Sequence, residues 1–193
     1  MPRIEEFDKA LVLQQATAVF WAKGYNGTSM QDLVEATGLN RSSIYNSFGS
    51  KLALYQDALT YYNKETHAFF QKALIRAADP LEAIRFIFEG FLPEMLEDNE
   101  GKGCFAMNCK AEMGNQDQNI KQWLLNTQEQ VLGTFESLVI DGQEQGIINT
   151  KQDAKDYAYY IFNAFQGFRM TGILVKDRKV LQQIIDSTVQ LLN

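Results

Sequence analysis

The chain reads as an all-α protein, and three features lead there. Apolar side chains recur every three or four residues along nearly the whole length, the spacing that lines one face of a helix. No segment alternates apolar and polar residues as a half-buried strand requires. Proline occurs only three times in 193 residues, and the breaks between periodic runs carry glycines and capping residues. About nine helices fit this pattern.

The first helix is expected over about Glu5–Lys23, with Val12, Ala16, Val19 and Phe20 inward and Gly24 as its stop. The second opens at Thr28, with Gln31 three residues on as a capping box. Thr37-Gly38-Leu39 is the turn that follows, because Gly38 tolerates the positive φ a sharp reversal needs. Asn40 caps a short third helix that ends near Phe48. Leu33 and Ala36 on one helix, and Ile44 and Phe48 on the next, mark faces that pack together. Arg41, Ser42, Ser43, Tyr45, Asn46 and Ser47 are then left facing mostly outward. A short helix held that way fits the major groove of B-DNA in helix-turn-helix fashion.

A fourth helix starts after Ser50 and runs to about Ala77, joining this N-terminal head to a body. Asp79-Pro80-Leu81-Glu82 supplies a capping acid, a proline at the first position and a glutamate at the third. Behind it Leu81, Ile84, Phe88, Phe91, Leu92, Met95 and Leu96 form one apolar stripe. After a break at Asn99–Gly103 comes a short helix around Cys104–Met113, then a long one over about Asp117–Gln145 that Gly146 ends. Helices over about Gln152–Val175 and Arg178–Leu192 close the chain. The expected division is a helix-turn-helix head over residues 1–50 and a helical body over residues 51–193.

Composition sets the class. Apolar content of 46% and charged content of 22% are ordinary for a globular protein. There is no run of about 18 apolar residues to span a membrane, and the first residues lack a signal-peptide core. No membrane association and a cytoplasmic location are expected. The net charge of −6 argues at first against nucleic acid, but it is unevenly placed. Residues 1–55 carry five basic and five acidic side chains, and the remainder carries 13 against 19. A neutral head with Arg41 and Lys51 near its tip, on an acidic body, is compatible with DNA, with few phosphate contacts per subunit.

Phe20, Lys23-Gly24-Tyr25, Thr28-Ser29, Asp32-Leu33, Gly38-Leu39 and Ser43-Ile44-Tyr45-Asn46-Ser47-Phe48-Gly49-Ser50-Lys51, taken in register, resemble the N-terminal domain of TetR/AcrR-type transcriptional regulators. The likeness covers the first quarter residue by residue; beyond it only length and helical architecture agree. It implies a dimeric DNA-binding regulator, usually a repressor, released by a small molecule bound in the C-terminal domain. It also implies a phosphate contact near Thr28, base contacts from Arg41, Ser42 and Ser43, and a Tyr45-Asn46 pair where the family more often has Tyr-His. Lys51 matches a phosphate-binding lysine. A palindromic double-stranded operator is the expected partner.

The body offers three further candidates. Phe88, Phe91, Cys104, Phe105, Trp123, Phe162 and Phe165 supply the aromatic and thiol surfaces a pocket for an apolar or aromatic effector needs; a plain core needs them too. Phe168 and Gly172 on the penultimate helix, with Leu181, Ile184, Ile185 and Thr188 on the last, suit a four-helix interface between two copies, or an intramolecular core. Cys104 and Cys109 are the only thiols, and five residues along a helix they point about 140° apart, so they do not pair. Flanking Lys102 and Lys110 favour a reactive Cys104, which leaves a thiol-based electrophile or redox sensor on this scaffold as an alternative, against a buried filler. A non-regulatory helical binding protein is the other alternative. His67 is the single histidine, so no multi-histidine metal site exists, and no hydrolase, nucleotide or metalloprotease motif occurs. Neither catalysis nor a cofactor is expected.

Overall fold

The computed structural model describes residues 7–193 and shows ten helices and no strand among them. In order they are α1 (Lys9–Gly27), α2 (Met30–Thr37), α3 (Arg41–Phe48), α4 (Lys51–Arg76), α5 (Pro80–Glu89), α6 (Leu92–Glu97), α7 (Phe105–Met113), α8 (Gln118–Glu144), α9 (Ala154–Leu174) and α10 (Arg178–Gln190). The expected start of the first helix at Glu5 lies outside the described residues. Asp8 caps α1, its side chain accepting from the N–H groups of Ala10 and Leu11. Gly24 interrupts α1 with φ 72° and ψ 174° before a last turn to Gly27.

Two boundaries differ from the sequence reading. The stripe from Leu81 to Leu96 is divided between α5 and α6, because Pro93 has no N–H for Glu89 and its ring would clash with that turn. Ser29, not Thr28, caps α2. Its side chain accepts from Asp32 N–H at 3.1 Å while the Asp32 carboxylate accepts from Ser29 N–H at 2.7 Å. Thr28 is buried, with its hydroxyl on Gly24 O at 2.6 Å and its N–H on Tyr25 O at 3.4 Å.

Two hydrophobic cores form, and they do not part at residue 50. The first joins Phe20, Leu33, Ile44, Leu54, Tyr55 and Leu59 of α1–α4 to Phe105, Cys109 and Met113 of α7 and to Ile120 and Leu124 of α8. Tyr55 is its hub, edge-on to Phe20 at 4.9 Å and to Phe105 at 5.6 Å. The second core packs the far end of α4 with α5, α6, α8, α9 and α10 around Phe88, Phe91, Phe135, Phe165 and Phe168. Helix α4 crosses from one core to the other, 26 residues or about 39 Å at 1.5 Å per residue.

Candidate nucleic-acid interface

Helix α3 is fixed from behind. Asn40 Oδ1 accepts from Ser43 N–H at 2.8 Å, and Gly38 makes the turn before it with φ 66°. Ile44 and Phe48 are buried against Leu33 and Leu39. Rotation by 100° per residue then leaves Arg41, Ser42, Tyr45, Asn46 and Ser47 in water and Ser43 half-buried at the edge. The Arg41 guanidinium lies 5.8 Å from the Tyr45 ring centre, so the charge and the ring share one end of the exposed face.

Two helix starts flank α3. Ser50 caps α4 by accepting from Ala53 N–H at 3.0 Å, which places Lys51 on the first turn, where the helix dipole is positive. Lys51 Nζ sits 4.4 Å from the Tyr25 ring centre, so the ring holds its stem over the head. At the start of α2, Lys23 bonds Asp32, and with Ser29 it holds that carboxyl well below the usual carboxylate range. Thr28, the residue expected to meet a phosphate there, has its backbone N–H on Tyr25 O and its hydroxyl on Gly24 O, and the exposed Ser29 hydroxyl beside it donates to Asp32 at 2.7 Å.

A bond network ties this head to the body, and the sequence reading missed it. The Glu112 carboxylate on α7 accepts from Tyr25 N–H at 2.9 Å and from Asn26 N–H at 2.8 Å. Gly24 makes room for it: a Cβ there would lie 2.8 Å from Glu112 Oε2. Trp21 Nε1 donates to Lys102 O and Gly103 O at 3.2 and 3.1 Å.

The body encloses an apolar cavity of about 90 Å³ between α4, α7, α8 and α9. Of the residues expected in a pocket, Cys104, Phe162 and Phe165 line it. Phe88 and Phe91 stand behind Phe165 in the second core, at 5.2 and 5.4 Å between ring centres. Phe105 is turned into the first core, and so is Trp123, because Leu124, Thr127, Gln128 and Val131 take the cavity side of α8. At the mouth Lys110 Nζ reaches Gln128 at 2.8 Å and Gln166 at 3.3 Å, and burial lowers its pKa. Cys104 Sγ accepts from the Tyr62 hydroxyl at 3.6 Å, and the same oxygen accepts from Arg169 at 3.4 Å. Arg169 is buried on Glu94 at 2.9 Å, and its second terminal nitrogen has no hydrogen-bond partner. Burial raises the Tyr62 phenol well above its usual range and keeps it a donor. Cys109 is buried, its thiol pushed up to about 11.

The expected interface residues are placed otherwise than supposed. Phe168, Leu181, Ile185 and Thr188 are buried within the single chain, and Gly172 faces Met95 so closely that a Cβ would lie 2.1 Å from its Cε. Only Ile184 is half-exposed. The outward faces carry Tyr159, Asn163, Gly167, Met170 and Leu174 on α9, and Val180, Ile184, Ser187 and Leu191 on α10. Among the described residues no helix is long and apolar enough to cross a membrane, and no cluster of potential metal ligands occurs.

Comparison with known proteins agrees with this architecture. Residues 12–58 match the model of bacterial regulatory proteins of the tetR family, and residues 80–188 match a tetracyclin repressor-like C-terminal domain. Over 194 residues the chain is 28% identical to the uncharacterized HTH-type transcriptional regulator YezE of Bacillus subtilis (strain 168), covering 100% of both. It is 25% identical over 174 residues to the HTH-type transcriptional repressor DhaR of Mycobacterium sp. (strain GP1), covering 90% of this chain and 86% of that one. In fold it superposes with a TM-score of 0.86, at 22% identity and full coverage of both chains, on a cysteine mutant of the TetR family regulator CifR complexed with 26bp double-strand operator DNA. The two domain matches, the helix-turn-helix and the helical body make this chain a member of the TetR family, a DNA-binding transcriptional regulator rather than an enzyme.

Proposed function

We propose that the protein is a ligand-responsive repressor that binds a palindromic operator as a homodimer. Residues 1–50 read DNA, and residues 51–193 bind the effector and the second subunit. The observation that carries this reading is the outward face of α3: Arg41, Ser42, Tyr45 and Asn46 are exposed, while Ile44 and Phe48 anchor the helix from the other side. Arg41 suits a guanine edge and Asn46 an adenine edge, at about 1–3 kcal/mol of discrimination each. Lys51, Ser43 and the corner at Thr28 and Ser29 position the backbone. The second subunit packs on the exposed stripe of α9 and α10, since a reader of two half-sites about 34–36 Å apart has two-fold symmetry.

The effector is an apolar or aromatic molecule in the cavity beside Cys104, Phe162 and Phe165. At about 90 Å³ that cavity is too small for a typical ligand pocket of ~300 Å³ or more, so occupancy displaces its walls. Helix α7 is one wall through Met107 and Lys110, and its other side holds Phe105 and Glu112 against the head. Helix α4 is another wall and begins at Lys51. Moving both separates the heads, with a coupling of ~1–3 kcal/mol giving about 5–150-fold relief.

Selection from random duplexes followed by fluorescence anisotropy tests the reading. A palindrome with half-sites one helical turn apart is expected, and Tyr45→Ala or Asn46→Ala should weaken binding ~5-fold or more at unchanged melting temperature. Recovery of no preferred site, or capture indifferent to both substitutions, refutes it.

A thiol-based sensor on the same scaffold is a second reading, favoured by Cys104 at the cavity wall beside a buried Tyr62–Arg169 pair. Mass spectrometry after mild N-ethylmaleimide treatment should find Cys104 modified and Cys109 spared, with DNA release lost in Cys104→Ser. Release that survives in Cys104→Ser rejects this reading and leaves the first intact.

A further inference from the structure

A groove on the far side of the body is separate from the apolar cavity. It lies between the last turns of α4, the α5–α6 corner and the start of α10, and has a volume of about 360 Å³, within the usual range of small-molecule sites. Three cations converge on it: Lys72 and Arg76 from α4 and Arg178 from α10. None of the three has a carboxylate within 4.0 Å among the described residues. The acid on the rim, Glu89, is already held by Gln182 at 3.2 Å and lies 3.8 Å from Arg85. In a body with an acidic surplus, this is a local excess of positive charge left unneutralised.

Two aromatic rings are set among the cations. The Arg76 guanidinium carbon lies 4.3 Å from the Phe86 ring centre, and Lys72 Nζ stands 5.6 Å from that of Phe69. A guanidinium's N–H fork matches two oxygens of a carboxylate or phosphate at once. Phe69 is 42% exposed, and its ring is braced from behind by Phe91 at 5.5 Å. It offers a fixed apolar face to a flat molecule. Three cations against one partly engaged carboxylate suit a dianion better than a monoanion.

We propose that this groove is a small-molecule site for the phosphate monoester of a flat apolar body, with Phe69 under the body and Arg76, Arg178 and Lys72 around the phosphate. It stays open in the dimer inferred above. At 100° per residue, Arg178 and Gln182 lie about 160° from Val180 on α10, on the side opposite the exposed stripe.

Calorimetric titration of the full chain with 1-naphthyl phosphate, 1-naphthoate, 1-naphthol and inorganic phosphate, without DNA, tests it. The expected order is naphthyl phosphate tightest, at least tenfold ahead of naphthol and of inorganic phosphate, with naphthoate between. Arg76→Gln and Arg178→Gln should each weaken naphthyl phosphate about tenfold, Arg76→Lys should not restore it, and Met107→Leu in the apolar cavity should leave it unchanged. Naphthyl phosphate should also shift the arginine side-chain N–H resonances of Arg76 and Arg178. Indifference of naphthyl phosphate to both arginine substitutions, naphthol binding as tightly and weakened equally by them, equal binding of inorganic phosphate, or occupation by an acidic peptide that naphthyl phosphate does not displace would overturn it.

Discussion

Glu112 should be worth more to this protein than its half-exposed position suggests. Its carboxylate accepts two backbone N–H groups, of Tyr25 and Asn26, at 2.9 and 2.8 Å. Hydrogen bonds to a charged group contribute about 1.5–3 kcal/mol each. Asn26 is exposed, so the lower end applies and Glu112→Ala should cost about 2–3 kcal/mol. For a chain of this size that is a fall of roughly 5–10 °C in melting temperature. Gly24→Ala should cost about 1–3 kcal/mol for a backbone conformation that only glycine adopts readily, with an added clash of the new Cβ against the pinned carboxylate. Removing Glu112 removes the clash but not the backbone strain. The double variant should therefore be less destabilised than the sum of the singles by about 1 kcal/mol. Thermal and urea denaturation of the four proteins measure this cycle. Additivity within about 0.5 kcal/mol, or a Glu112→Ala melting temperature within a degree or two of the parent, would refute the clamp.

Other substitutions probe the remaining features. Met170→Lys with Leu174→Lys should convert a dimer to a monomer in analytical ultracentrifugation while helical content is kept, since Leu174 is 88% exposed in the single chain. Glu94→Gln leaves the buried Arg169 guanidinium without its counter-charge; a fully buried pair would lose ~3–5 kcal/mol, and about 2 is expected here because Glu94 is 35% exposed. Asp32 is held below its unfolded-state value chiefly by Lys23, so its contribution is fully present above about pH 4 and is lost as pH falls through the folded-state value. In Lys23→Met the Asp32 carbon resonance should titrate at higher pH, and acid unfolding should begin earlier.

The helix-turn-helix was legible because its signals are local. Asn40, Gly38, Ile44 and Phe48 act within one or two turns of their own positions, and each does what its type and spacing indicate. The start of α2 was not, since Thr28 with Gln31 and Ser29 with Asp32 both fit a capping pattern. Lys23, reaching Asp32 from the preceding helix, and Gly24 O, taking the Thr28 hydroxyl at the kink in α1, decide between them. Helix α9 is apolar on both sides, so periodicity fits Phe168 and Gly172 to an interface or to a core alike and does not show that they face inward while Met170 and Leu174 face out. The Glu112 clamp spans 87 residues to Tyr25 and leaves no trace in local pattern. Pro93 did signal the α5–α6 corner, and the longer stripe obscured it.

Because Phe105, Cys109 and Met113 complete the core beneath α1 to α4, the DNA reader is not a detachable module. A chimera made by transplanting the first sixty residues onto another body would carry Tyr55 but strip Phe105, Cys109 and Met113 from the core around it, exposing that ring to water. Engineers exchanging specificities in this scaffold must carry α7 across with the reader, or redesign the surface it covers.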